Sequence, residues 1–76
     1  MPHVIVKMYA GRAQEQKAAI ADALATALMQ VVGSSSDSIS VAIEDVMPAD
    51  WFAQVYGPEI EAKPEQIFKK PGHGRR

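Results

Sequence analysis

Two runs of β-branched residues flank one long amphipathic stretch, and that order leaves few folds open to the chain. In Pro2-His3-Val4-Ile5-Val6-Lys7-Met8, the residues Val4, Val6 and Met8 alternate with His3, Ile5 and Lys7, which is the period of a strand. Gly11 breaks the alternation. From about Ala13 to Val32, Ile20, Leu24, Leu28 and Val31 recur at spacings of four, four and three, while Asp22, Thr26 and Gln30 form a polar stripe. That pattern predicts one long helix, rich in helix-favouring alanines and closed by Gly33, which can adopt the left-handed conformation of a helix end. Ser34-Ser35-Ser36-Asp37-Ser38 then reads as a turn, and Ile39, Val41 and Ile43 alternate with Ser40, Ala42 and Glu44 as a second strand. A helix linking two strands makes them parallel through a right-handed crossover and covers one face of the sheet.

The other face has nothing in the chain to cover it. At 76 residues the chain is a single α/β (α+β) domain over positions 1–76, and a domain this short buries only about 60% of its unfolded surface. Two strands and a helix therefore predict a sheet that continues into, or packs upon, another subunit. Pro48 suits the first turn of a short second helix carrying Trp51, Phe52, Val55 and Tyr56, which Gly57-Pro58 is expected to interrupt or kink. A turn of helix near Glu65 to Phe68 and a flexible end over 69–76 complete the expectation. With 47% hydrophobic and 22% charged residues, the composition is that of a packed protein rather than a disordered one.

Several chemistries are excluded at once. There is no cysteine for a disulfide or thiolate site. No apolar run approaches the roughly 20 residues that span a bilayer, and no signal-peptide pattern opens the chain, so a cytoplasmic protein without a membrane role is expected. All nine acidic residues lie at or before Glu65, whereas Lys69, Lys70, Arg75 and Arg76 close the chain. Four cations without interleaved aromatic residues read as a solvated end rather than a nucleic-acid surface. His3 and His73 are too few and too far apart for a metal motif and receive no role.

Pro2 is the residue with unusual chemical potential. Removal of Met1 would expose a secondary amine, which can act as a general base if its pKa lies near the working pH. An apolar pocket and a nearby cation both disfavour the ammonium form and would keep that amine neutral.

Read together, Pro2, the strand, Gly11-Arg12-x-x-Glu15-Gln16-Lys17, the long helix, the second strand and Trp51 resemble the 4-oxalocrotonate tautomerase family. The short length and the Lys69-Lys70-Pro71-Gly72 ending are similar to its small bacterial phenylpyruvate-type subgroup. The resemblance implies that Pro2 shuttles a proton between positions of an enol or keto acid without a cofactor. It also implies that Arg12 engages the substrate, through paired hydrogen bonds to a carboxylate or by stabilising an enolate. Trp51 falls where the family places an aromatic pocket wall. Where a second family arginine would fall, the chain has Ser40. A hydroxyl cannot replace a cation, so a second substrate carboxylate should lose about 1.5 to 3 kcal/mol of charge-assisted bonding.

The expected protein is thus a cofactor-independent tautomerase of small 2-keto or enol acids bearing one carboxylate. Pro2 is its catalytic group, and Arg12, Trp51 and Ser40 are its substrate-binding residues. Its expected partner is itself, a homodimer in preference to the hexamer that the family also forms. A hydratase or dehalogenase of the same superfamily, and a non-catalytic oligomeric binding module, stay open as alternatives.

Overall fold

The computed structural model describes residues 1–72. It contains strand β1, His3–Tyr9, helix α1, Gln14–Val32, and strand β2, Ser40–Val46. The strands are parallel and in register from His3 opposite Ser40 to Tyr9 opposite Val46. Alternation then divides the side chains between two faces. Val4, Val6, Met8, Val41 and Ile43 are half-buried on the side of α1, while His3, Ile5, Tyr9, Ser40, Ala42 and Glu44 lie exposed on the opposite side.

Helix α1 turns Ile20, Ala21, Leu24, Ala25 and Leu28 toward the sheet, each half-buried, and keeps Asp22, Thr26 and Gln30 in solvent. Lys17 donates from Nζ to Asp45 Oδ2 at 2.6 Å and pins the start of the helix to β2. Val31, expected on the buried stripe, is instead 85% exposed. The reason is length. Nineteen helical residues span about 28 Å, whereas seven strand residues span about 23 Å, so the last turn of the helix projects past the sheet. Gly33 ends it at φ 82°, with its N–H bonded to the Met29 carbonyl at 3.1 Å. Ser38 caps the following turn by donating from Oγ to the Ser35 carbonyl at 2.8 Å.

After β2, Pro48 opens a short 3₁₀ turn, Pro48–Asp50, and a π-helix runs over Phe52–Glu61. The expected interruption at Gly57-Pro58 does not occur, because the π-helix continues through Pro58. A proline ring collides with the carbonyl four residues earlier in an α-helix, and the wider coil with bonds to the fifth residue relieves that crowding. Gly57 assists, since a Cβ there would stand 3.2 Å from the Phe52 carbonyl oxygen. The Ala62 N–H closes the coil onto the Gly57 carbonyl at 3.0 Å. A final 3₁₀ turn covers Pro64–Gln66, earlier than the expected Glu65 to Phe68. Lys70, Pro71 and Gly72 fold beside Tyr56, Ile60 and Ile67 around a cavity of about 310 Å³. Of the end expected to be flexible, positions 73–76, with His73, Arg75 and Arg76, lie outside the described residues.

Lys7 joins the π-helix to the sheet by donating to the Glu59 carboxylate, with Glu44 at 3.6 Å. The hydrogen bond that Lys7 donates to Glu59, reinforced by the charges of both carboxylates, holds the Lys7 ammonium above its ordinary pKa against a smaller opposing effect of burial. This clasp covers only the Tyr9 end of the face away from α1. Ile5 stays 55% exposed, and Val46 and Val55 are the only buried apolar residues among those described. The chain exposes 5794 Å², whereas a compact monomer of 8.2 kDa would expose about 4,500 Å². Among the described residues no helix is long and apolar enough to cross a membrane.

Candidate active site

The residues singled out from the sequence fall at two opposite ends of the sheet. At the beginning, Pro2 is half-buried and leads directly into β1, and its carbonyl accepts the Ser40 backbone N–H at 3.2 Å. Pro2 and Ser40 are thereby neighbours, although they are far apart in sequence. The Ser40 side chain is exposed, and its Oγ lies 2.6 Å from Nδ1 of His3 in a hydrogen bond whose direction follows the imidazole tautomer. Met1 projects into solvent at 102% relative exposure.

At the far end, Ala10 bonds to the last residue of β2, its N–H to the Val46 carbonyl at 3.0 Å. The chain must then turn within a few residues to enter α1. Gly11 makes the turn at φ 122°, a backbone conformation that residues with a Cβ rarely adopt. Arg12 follows it on the surface, with no hydrogen bond or ion pair among the described residues. Trp51, half-buried, packs edge-on against Tyr9 with ring centroids 5.2 Å apart and planes at 81°. Tyr9 is thus the ring partner of Trp51, a contact that the sequence pattern did not single out.

The two ends do not meet within one chain. Six strand steps from His3 to Tyr9 separate them by about 20 Å. The fold brings Pro2 together with Ser40 and His3, and leaves Arg12 at the same end of the sheet as Tyr9 and Trp51. A group of substrate size could touch both sets only if two chains contributed one end each. The contact between His3 and Ser40 was foreseeable in one respect, since both residues open their strands and a parallel pairing in register sets them opposite one another.

A parallel strand pair joined by one crossover helix, followed by a second helical segment, is the fold of a class of small isomerases, as comparison with known proteins shows. The family profile described as "Tautomerase enzyme" matches residues 2–59. A probable tautomerase of Xylella fastidiosa (strain 9a5c) is 51% identical over 75 residues, covering 99% of this chain and 92% of that protein. Tautomerase PptA of Pectobacterium carotovorum subsp. carotovorum (strain PC1) is 40% identical over 74 residues, covering 96% and 97% of the two chains. Among solved structures, TomN, a 4-oxalocrotonate tautomerase homologue in the tomaymycin biosynthetic pathway, superposes with a TM-score of 0.65 at 29% identity, over 67% of this chain and 78% of its own. YwhB, another 4-oxalocrotonate tautomerase homologue, gives 0.59 at 37% identity, over 60% and 75%. The chain belongs to the tautomerase family and is an enzyme of the isomerase class.

Proposed function

We propose that the protein interconverts the enol and keto forms of small 2-keto acids carrying one carboxylate and an apolar or aromatic tail, such as phenylpyruvate. Once Met1 is removed, the neutral Pro2 amine takes the enol hydroxyl proton, and the resulting ammonium returns a proton to the adjacent carbon. One O–H bond and the C=C double bond give way to a C–H bond and a C=O bond, so the reaction needs no cofactor. Arg12 holds the carboxylate through paired charge-assisted hydrogen bonds or steadies the oxygen as it gains negative charge. Trp51 excludes water from the site, and Ser40 lies beside the amine in place of a cation.

The observation that carries this reading is the division of site residues between the two ends of one sheet in a chain of the tautomerase family. Pro2 and Ser40 of one subunit complete a pocket with Arg12 and Trp51 of another. The excess exposed surface, about 1,300 Å² beyond a compact monomer, supports the same arrangement, because a stable interface takes about 800 Å² from each partner. The assembly proposed is a cytoplasmic homodimer.

The test uses two forms of the protein that fold alike. Chain with a free Pro2 amine should ketonise phenylenolpyruvate well above the buffer rate, and chain in which a preceding residue acylates Pro2 should not. Equal activity of the two forms above the buffer rate would refute the proline base, and a rate no higher than buffer in both would leave a non-catalytic binding module as the better account.

A further inference from the structure

We infer that His3 is a positioning residue for this reaction, holding the Ser40 hydroxyl as a hydrogen-bond donor to the substrate's carbonyl or enol oxygen beside the Pro2 amine. The inference rests on the proposed role of Pro2. His3 and Ser40 are directly opposite in the parallel register, and both point to the sheet face that α1 leaves open. Their side chains bond only to each other among the described residues, with Nδ1 and Oγ 2.6 Å apart. Ser40 is also tied through its backbone N–H to the Pro2 carbonyl oxygen at 3.2 Å, and only three covalent bonds separate that oxygen from the amine nitrogen. The pair is therefore fixed to the residue that carries the proposed base.

The chemistry follows from the two tautomers. With the proton on Nδ1, the imidazole donates to Ser40 Oγ, and the hydroxyl proton is left to point at another acceptor. An unassisted serine hydroxyl rotates among several positions, whereas one whose oxygen is already engaged has its proton confined to fewer directions. The acceptor that suits a neutral, preorganised donor is an oxygen on which negative charge grows during proton transfer. A second substrate carboxylate would instead call for a cation. The dyad thus favours the carbonyl oxygen of a monocarboxylate substrate, and His3 acts through Ser40 without touching the substrate itself.

The experiment is a double-mutant cycle on chain with a free Pro2 amine, comparing His3→Ala, Ser40→Ala and the double variant in phenylenolpyruvate ketonisation. Each single variant should lower kcat about threefold to tenfold, the worth of one hydrogen bond, and the double variant should fall no further than the worse single one. His3→Asn should restore most of the rate, since its amide N–H can stand where Nδ1–H stood. Thermal midpoints of all variants should agree, because both residues are exposed; a purely structural pair would shift the midpoint and leave kcat alone. Additive losses, unchanged kcat in the single variants, or no rescue by asparagine would overturn the role of His3. If these occur while the acylated chain is inactive, the proline base stands and only this inference fails; an active acylated chain would overturn both.

Discussion

Two impaired variants should restore activity to each other if the site is shared between chains. The first variant carries an acylated Pro2, and the second is Arg12→Ala. Because about 20 Å of strand separates Pro2 from Arg12 within a chain, the proposed site draws its amine and its guanidinium from different subunits. In a two-fold symmetric dimer the same contact occurs twice with the roles exchanged. A mixed dimer then holds one doubly defective site and one intact site. Equal mixing and reassortment by unfolding and refolding would make about half of the dimers mixed, so about a quarter of all sites, and about a quarter of the wild-type rate, should return. The same fraction holds in a larger ring of such pairs, which separates the test from the oligomer size. The assay is ketonisation of phenylenolpyruvate at fixed total protein, before and after reassortment. Recovery should far exceed the average of the parents, since Arg12→Ala alone should retain about 1 to 10% of its efficiency. A mixture no more active than that average would show that one chain supplies the whole site and would refute the shared-pocket geometry.

Arg12→Ala should lower kcat/KM for acidic substrates about tenfold to a hundredfold while moving stability by less than about 0.5 kcal/mol, as thermal unfolding will check; comparable losses in both would make it a structural residue. Gly11→Ala should cost about 1 to 3 kcal/mol, because φ is 122° and the space around it is open, so backbone strain is the whole effect. At fixed protein concentration this appears as a lowered Tm, whereas Gly72→Ala, also in open space and without a positive φ, should leave Tm unchanged. Lys7 has a pKa raised above its ordinary 10.5 by Glu59 and Glu44. Its contribution is therefore complete below the unfolded value and lost as pH rises through the folded one. Denaturant titrations should show wild-type protein losing more stability than Lys7→Met between neutral pH and the strongly alkaline range, and parallel curves would refute the clasp.

Sequence periodicity alone determined the main elements of this protein. The alternation around Val4 and Val41, the stripe through Ile20, Leu24 and Leu28, and the glycines at 11 and 33 specify two parallel strands and a crossover helix, because each depends on local geometry. The bare sheet face was legible for the same reason, since a chain of 76 residues has too few elements to cover it. The residues Pro2, Arg12 and Trp51 could be singled out as candidates, through the family pattern that their types and order resemble. Their separation could not. Only the register of β1 on β2 decided that Pro2 lies with Ser40 and His3 at one end and Arg12 with Trp51 at the other, and register is a contact between residues far apart in sequence. Tertiary packing likewise decided that Val31 clears the edge of the sheet, that Lys7 reaches Glu59, and that the coil widens to carry Pro58. In each case the deciding quantity was a length, a distance or a clash between separate segments, which no pattern within one segment contains.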